Sequence, residues 1–323
     1  YAEAHNNLGI LQLHLGDIDN ALESFIRTLQ IDPLSREAHN NMGNALKDQG
    51  DLEGAMVSYR KALELKADYA DVHSNIGNLL KRSGDLEGAM ASYNRALEIR
   101  PDDASLEFMV SALSGDLVDS PPRVYVESLF DDYASKFDRS LQDNLGYRTP
   151  EELAKVVIAT ESDGFRGSIL DLGCGTGLSG LAFKAFSSQL IGIDLSKAML
   201  EQASDKAIYD ELLHSDILEY LGEADLDFDY FIATDVFIYV GDLSRVFELI
   251  KTRNKRGGRL VFSTEHREGD GFFLEQSGRY SHSRSYIEEL SALYGYDLLY
   301  FETADLRKEK ERFLVGGLYV LEF

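Results

Sequence analysis

The stretch "ILDLGCGTGLSG", residues 169–180, contains four glycines that directly follow an apolar run. Read from Asp171 it is D-x-G-x-G-x-G, and read from Gly175 it also satisfies G-x-G-x-x-G. A buried strand followed by a glycine-rich turn and a helix is typical of nucleotide folds, in which the turn lets the backbone approach an adenosine-bearing cofactor. The stretch therefore predicts such a fold and leaves the cofactor open.

Strand-like and helical patterns alternate throughout the second half of the chain. Besides "SILDL" in the opening stretch, apolar runs include "QLIGID" at 189–194, "FDYFIATD" at 228–235 and "GRLVFSTE" at 258–265, and helical patterns lie between them. Strands separated by helices indicate a mainly parallel sheet covered on both faces. The runs at 296–302 and 312–323 have no helix between them and are expected to pair antiparallel. We predict a doubly wound sheet of seven strands.

The first hundred residues repeat with a period of 34 residues. Each of three copies carries an apolar-Gly pair, a Gly-Asp turn, an alanine and an aromatic residue, which in the first copy are Leu8-Gly9, Gly16-Asp17, Ala21 and Phe25. Small residues let paired helices approach, and the aromatic ring fills the space between them. The spacing resembles the tetratricopeptide repeat. Residues 1–113 are thus predicted to form three repeats and a capping helix, truncated upstream because the sequence starts inside a repeat.

A triplet of asparagines recurs in this array, at Asn7, Asn41 and Asn75. In some members of the repeat family this position forms an asparagine ladder in the concave groove, and an amide side chain pairs with a peptide backbone of any sequence. The triplet therefore predicts a groove that binds a protein or peptide. The alternative is that these side chains serve only the folding of the repeats.

A boundary is predicted after the repeats. The 34-residue pattern fails near residue 113, and "DSPP" at 119–122 is a cluster of helix-breaking residues. Residues 114–123 are therefore expected to be a linker, and residues 124–323 a second domain. That domain opens with apolar residues at helical spacing from Val126 to Phe137, which predicts an amphipathic helix.

Charge and cysteine content limit the function. The formal net charge of −24, most of it after residue 100, would repel nucleic acid and anionic lipid, so neither is an expected partner. The acidity indicates either solubility or attraction of a cation. A single cysteine, Cys174, excludes an internal disulfide and a cysteine-built metal site, and no metal is expected. With no membrane span or signal segment in the sequence, a cytoplasmic protein is expected.

The second domain resembles the class I S-adenosylmethionine-dependent methyltransferases. The resemblance rests on "LDLGCGTG", on an acid closing the second strand, on an acid after "ELLHS" and on an acid closing the fourth strand. It implies that the glycines pass the methionine and ribose, that Asp194 accepts the ribose hydroxyls, and that the helix before the core is a lid. The cofactor-binding residues then expected are Asp171, Gly173, Cys174, Gly175, Gly177, Asp194, Leu195, Met199, Asp216, Ile217, Asp235 and, from the lid, Tyr133.

The chemistry favours this cofactor over a dinucleotide. A pyrophosphate binds backbone amides with no anion beside it, whereas S-adenosylmethionine carries a sulfonium and an ammonium that suit Asp171 and Asp235 at the strand ends. Two roles stay open, because Asp194 and Asp216 also precede helices and could cap them. "LFDDYASKFDRSLQDNLGYRTPEEL" and "SGRYSHSRSYIEEL" are further similar to a bacterial group of predicted methyltransferases that carry tetratricopeptide repeats.

Methyl transfer needs alignment more than a fixed catalytic motif, so acceptor-side residues are harder to predict. "EHREGDGFFLEQSGRYSHS", residues 265–283, is expected to be a long loop at a strand end, where substrates often bind. We expect acceptor contacts from Arg148, Arg279 and Tyr280. Simple packing is the alternative reading for each, as it is for the catalytic candidates, which are Tyr239, His266 and His282.

These features predict a methyltransferase whose repeats dock a protein substrate or partner. One alternative is a small-molecule methyltransferase whose repeats serve only assembly. The other is a scaffold that binds S-adenosylmethionine or S-adenosylhomocysteine without turnover.

Overall fold

Helix pairs form the first of two units in the computed structural model, which describes residues 1–134, 137–139, 146–161, 166–309 and 312–323. This unit covers Tyr1–Asp116. Its helices are α1 (Ala2–His14), α2 (Ile18–Ile31), α3 (Arg36–Gln49), α4 (Leu52–Leu65), α5 (Ala70–Ser83), α6 (Leu86–Ile99) and α7 (Ala104–Ser114).

The repeat signature explains how each pair packs. A Cβ atom added to Gly43 would lie 2.5 Å from the ring of Tyr59, so only glycine lets α3 lie this close to α4. The turn between these helices has Gly50 at φ +96°, and Asp51 then caps α4 by accepting a hydrogen bond from Gly54 N. Ala55 and Tyr59 are fully buried. The tetratricopeptide solenoid predicted from the 34-residue period is confirmed.

The second unit, Leu117–Phe323, is built on one sheet. Its described residues form nine strands, which are β1 (Gly167–Leu172), β2 (Ser187–Asp194), β3 (Glu211–His214), β4 (Tyr230–Ala233), β5 (Arg259–Arg267), β6 (Phe272–Leu274), β7 (Tyr280–Ser283), β8 (Asp297–Glu309) and β9 (Arg312–Glu322).

The first five strands lie in the order β3-β2-β1-β4-β5 and are all parallel. The strand β9 pairs antiparallel with β5, and β8 pairs antiparallel with β9. These seven strands are the predicted doubly wound sheet. Alternate side chains of β1 supply cores on both faces, with Leu170 and Leu172 on one and Ile169 on the other.

Helices cover both faces and the carboxyl edge of this sheet. They are α8 (Arg123–Tyr133), α9 (Phe137–Arg139), α10 (Thr149–Thr160), α11 (Leu178–Phe183), α12 (Lys197–Asp205), α13 (Ile217–Glu223), α14 (Ser244–Arg253) and α15 (Arg284–Tyr294). Short 3-10 turns lie at Lys184–Phe186 and Phe237–Tyr239.

The segment predicted as a long loop after β5 is instead partly sheet. Residues 272–274 and 280–283 form the β6–β7 hairpin, and β7 pairs in parallel with the end of β5 through Glu265 and Ser281. The loop prediction was wrong here because β5 extends to Arg267 and offers an edge that two very short strands cover. Strands of three and four residues are too short for alternation to reveal.

No helix among the described residues has the length and apolar character that crossing a membrane requires.

Candidate active site

The glycine turn lies where β1 ends and α11 begins. Gly173, Gly175 and Gly177 have φ values of +66°, +54° and +92°, a region that other residues rarely adopt. A Cβ atom on Gly173 would lie 2.8 Å from Val236, whereas one on Gly175 would meet only Phe137 Cε1, at 3.9 Å. The Val236 side chain therefore packs closely against the turn at Gly173, whereas the space next to Gly175 is open.

Asp194 ties the end of β2 to this turn. Its Oδ2 accepts a 2.8 Å hydrogen bond from Gly175 N, and its Oδ1 accepts one of equal length from Ser196 N. Ser196, and not Asp194, caps α12, since its hydroxyl accepts from Met199 N. Asp194 therefore does not serve as the helix cap that was the alternative reading, and each of its oxygens keeps a lone pair for a ligand.

Asp171 lies beneath the turn and is fully buried. Ser179 Oγ and Tyr209 OH both donate to its Oδ2, at 2.5 and 2.6 Å, while its Oδ1 has no hydrogen-bond partner among the described residues. Burial raises the pKa of this carboxyl to about 7, against the opposing hydrogen bonds of Ser179 and Tyr209. Buried polar atoms normally have a hydrogen-bond partner, so this oxygen is available to accept a hydrogen bond from a ligand.

The remaining residues predicted on the cofactor side are spread along the same edge. Asp216 caps α13 by accepting from Leu218 N and Glu219 N, so the capping role is present, and its partial exposure leaves room for a second role. Met199 and Cys174 are buried, and Leu195 and Ile217 are half-buried. Burial holds the pKa of the Cys174 thiol well above its usual range, as is typical of a structural cysteine.

The helix α8 crosses this edge as the predicted lid. Asp131 accepts a 2.6 Å hydrogen bond from Ser196 Oγ, and the Phe130 ring packs edge-on against Tyr239 with centroids 4.9 Å apart. The short helix α9 adds Asp138, which binds Thr176 Oγ1 and forms a 2.7 Å ion pair with Lys206. The Tyr133 side chain, predicted to approach the cofactor, lies outside what the structure describes.

A cluster of buried and half-buried charges lies at the carboxyl ends of β4 and β5. We call Asp235, Glu265, Arg279 and Arg307 the ion cluster. Arg307, on β8, pairs with Asp235 and with Glu265 at 2.7 Å, and Arg279 pairs with Glu265 at 2.5 Å. Asp235 has φ +58°, one of two described non-glycine residues with positive φ. Backbone strain of this kind concentrates at functional sites.

Burial shapes the protonation of the cluster. It raises the pKa of Glu265, although Arg279 and Arg307 oppose the shift. It would lower the pKa of Arg307, but the carboxylates of Asp235 and Glu265 outweigh it and raise that pKa. Burial raises the pKa of Tyr147 as well, and the charges of Asp235 and Arg307 act on that pKa in opposite directions.

The structure separates the candidates for catalysis and acceptor binding. Tyr239 lies in the 3-10 turn that follows Asp235, and burial raises its pKa. Arg279 belongs to the cluster. Arg148 is exposed at the start of α10. His266 follows Glu265 on β5 and therefore points to the opposite face, where its ring lies 5.9 Å from that of Phe301.

Two predicted site residues are core residues, so these predictions are corrected. Tyr280 is fully buried and donates to Val118 O at 2.8 Å. His282 is fully buried, lies 2.9 Å from Gly241 O and packs against Tyr286, and burial lowers its pKa to about 4. Both belong to β7, and strand pairing turns them inward.

Glu265 and Arg307 are two members of the cluster that were not predicted from the sequence. Glu265 follows the apolar run of β5 just as Asp194 and Asp235 close β2 and β4, so the same rule would have found it. Arg307 carries no such signal, because only the antiparallel pairing of β8 with β9 brings it beside β5.

Comparison with known proteins agrees with both units. Tetratricopeptide-repeat models match residues 2–33, 43–84 and 70–103. A model described as a methyltransferase domain matches residues 170–262, which run from the glycine turn to β5. The chain joins tetratricopeptide repeats to a methyltransferase domain. Such a domain implies S-adenosylmethionine as the methyl donor, so the cofactor prediction is confirmed.

Several known methyltransferases are similar to this domain. The 18S rRNA (guanine-N(7))-methyltransferase of Arabidopsis thaliana is 31% identical over 103 residues, covering 32% of this chain and 35% of that protein. The malonyl-[acyl-carrier protein] O-methyltransferase of Legionella pneumophila is 32% identical over 146 residues, covering 43% of this chain and 49% of that protein. The chain thus spans between about a third and a half of these relatives.

Among solved structures, the magnesium protoporphyrin IX methyltransferase of Synechocystis PCC 6803 aligns with a TM-score of 0.48 and 15% identity. The alignment covers 62% of this chain and 98% of that one.

Two asparagines of the predicted triplet, Asn41 and Asn75, bond to other asparagines in the preceding repeat. Asn41 Nδ2 donates to Asn6 Oδ1 at 3.1 Å, and Asn75 Nδ2 donates to Asn40 Oδ1 at 2.9 Å. Each bond joins one repeat to the preceding repeat. Asn7 is exposed on α1.

Proposed function

We propose that the chain transfers a methyl group from S-adenosylmethionine to an acceptor, and that the repeats dock the protein that is, or that brings, this acceptor. The observation that carries the proposal is the buried Asp171 Oδ1 without a hydrogen-bond donor, next to a glycine turn that is open above Gly175. A cationic group completes this environment, and the ammonium of S-adenosylmethionine is one.

The residues around the glycine turn match the chemical groups of S-adenosylmethionine. The spare lone pairs of Asp194 suit the two ribose hydroxyls, and the glycine backbone leaves room for the methionine chain. When bound, the cofactor supplies an electrophilic methyl carbon. The protein then contributes orientation of the substrates and exclusion of water. Water is excluded by α8, whose Asp131 binds Ser196 and whose Phe130 packs against Tyr239.

Docking through the repeats is supported by the solenoid, since stacked helix pairs present an extended concave surface. The acidity of the chain favours a protein over RNA as the docked partner, even though one relative acts on rRNA. A specific observation favours the alternative of repeats that serve only assembly. The side chains of Asn41 and Asn75 donate to asparagines of the preceding repeat, so they already link the repeats to one another.

Isothermal titration tests the cofactor assignment directly. We expect S-adenosylmethionine and S-adenosylhomocysteine to bind and NADH not to bind. Asp194→Ala should abolish both interactions, whereas Asp210→Ala, an exposed acid near the start of β3, should leave them unchanged. Failure of both ligands to bind the natural chain would end the methyltransferase proposal and the scaffold alternative alike.

The docking role needs a separate test once an acceptor is known. Removal of residues 1–116 should raise the KM for a docked protein acceptor and leave the affinity for S-adenosylhomocysteine unchanged. Unchanged kinetics with the acceptor would support the small-molecule alternative.

A further inference from the structure

The ion cluster lies on the acceptor side of the proposed cofactor site. Asp171 on β1 lies opposite Ile232 on β4, so Asp235 follows three residues further toward the carboxyl edge. Val236, the residue after Asp235, packs against the glycine turn, since a Cβ atom on Gly173 would lie 2.8 Å from its side chain. A ligand that extends from the glycine turn along the edge therefore reaches Asp235 first and Glu265 behind it.

Every charge in the cluster already has an opposite charge beside it. Arg307 meets both carboxylates, and Arg279 meets Glu265. A charged acceptor group would need to separate one of these buried pairs, which leaves an uncompensated ion in a low-dielectric site. A neutral polar group leaves all the pairs intact and still finds donors and acceptors.

Aromatic rings lie in the same region. Tyr239 lies in the 3-10 turn that follows Asp235, Phe130 of α8 packs on its ring, and Phe130 also lies 6.3 Å from Phe137, centroid to centroid. Tyr147 is buried. Flat apolar walls around a few paired polar groups suit a planar ligand that bears a neutral polar substituent.

Resting on the function proposed above, we propose that the ion cluster is the acceptor site, that it takes a neutral aromatic hydroxyl, and that Asp235 receives its proton. Asp235 suits this role better than Glu265, because Glu265 binds two guanidinium groups and Asp235 binds one. The Asp235 side chain is also the more exposed of the two, at 13% against 6%.

The transfer balances in charge and atoms. The acceptor oxygen forms the bond to the methyl carbon, the carbon–sulfur bond breaks with its electron pair moving to sulfur, and the O–H proton passes to Asp235. The positive charge lost at sulfur reappears as that proton, so the buried site keeps the same net charge throughout. Arg307 is a positioning residue that holds the Asp235 carboxylate at the strand end.

Three probes of similar shape test the charge preference. The full chain is saturated with S-adenosylhomocysteine, and the affinities of phenol, benzoate and benzylamine are measured at neutral pH by ligand-observed NMR and calorimetry. We expect phenol to bind about tenfold more tightly than either ion, because each ion breaks a buried pair.

Substitutions within the cluster should switch this preference in a predictable direction. Asp235→Asn and Glu265→Gln keep the shape and leave an unpaired guanidinium charge, so benzoate should become the preferred probe. Arg307→Met leaves a carboxylate unpaired, so benzylamine should be preferred. Arg256→Met, which breaks an exposed ion pair with Asp227, is the matched control and should preserve the preference for phenol. If Arg307→Met does not fold, the two isosteric variants still decide the result.

The outcomes separate the two proposals. If S-adenosylhomocysteine does not bind the natural chain, the proposed function fails. If it binds but an ion is preferred, none of the probes binds, or the isosteric variants retain the preference for phenol, only the acceptor proposal is overturned. A purely structural role for the cluster would weaken all three probes equally and would not reverse their order.

Discussion

The carboxylate of Asp194, at the end of β2, accepts a 2.8 Å hydrogen bond from the backbone nitrogen of Gly175, in the turn after β1. One side chain therefore fixes the distance between two neighbouring strand ends and the conformation of the glycine turn. The left-handed backbone of Gly175 is part of this arrangement.

Gly175→Ala should weaken binding of S-adenosylhomocysteine by about tenfold or more, because the new methyl group enters the cofactor space and the residue is strained. The expected loss of unfolding free energy is about 1–2 kcal/mol. Calorimetry and urea unfolding give the two values. Gly222→Ala, where a Cβ meets nothing within 4 Å, is the control and should not affect binding. Equal binding by both variants would mean that the ligand does not pass over Gly175.

Asp171 predicts a pH dependence of stability. Its folded pKa of about 7 lies above its value in the unfolded chain, so the folded state holds an extra proton between about pH 4 and 7. The stability that the Asp171 carboxyl contributes is fully present below its unfolded pKa and is lost as the pH rises through its folded pKa. Asp171→Asn should therefore gain stability relative to the natural chain between pH 5 and 8, as measured by urea unfolding. If the two proteins differed in unfolding free energy by the same amount at pH 5 and at pH 8, the prediction would be contradicted.

Gly43→Ala should destabilise the repeats by about 1–3 kcal/mol, because the added methyl group collides with the Tyr59 ring in a closely packed helix pair. Thermal unfolding monitored by circular dichroism measures the loss. The control is Val57→Ala on the adjoining α4, where the side chain is 68% exposed and little should change. Similar stabilities for the two variants would indicate that α3 and α4 separate easily.

Ser196→Ala should loosen α8. The substitution removes the cap of α12, at a cost of about 1 kcal/mol, and also the hydrogen bond to Asp131. Amide hydrogen exchange in residues 123–133 should accelerate. Ser283→Ala removes the corresponding cap of α15 without touching α8, so exchange there should stay at the natural rate. Equal exchange rates in both variants would show that Asp131 is not an anchor of the lid.

The sequence was sufficient for features that depend on neighbouring residues. The 34-residue period predicts the helix pairs because Gly43 and Tyr59 meet within one repeat. Pro150 lies in the first turn of α10, where its fixed backbone angle fits, so the start of this helix also follows from the local sequence. Asp194 and Asp235 could be placed because parallel strands end at one edge.

Features that depend on pairing between distant segments of the chain could not be predicted from the sequence. His282 and Tyr280 read as loop residues because the short β6–β7 hairpin forms only against the extended end of β5. Arg307 reaches Asp235 across 72 residues of sequence, and no local pattern marks it. The asparagine triplet predicts a binding groove. The hydrogen bonds from Asn41 and Asn75 to the preceding repeat could not be predicted from it.

The position of β9 also has a kinetic consequence. This strand pairs with β5 and with β8, and its ion pair between Glu322 and Arg259 joins residues 63 positions apart. Contacts in the repeats are local by comparison, and local contacts form fastest. During synthesis the solenoid is therefore expected to fold as each helix pair leaves the ribosome. The sheet must wait until the residues of β9 have emerged, so β5 spends that interval with one edge unpaired.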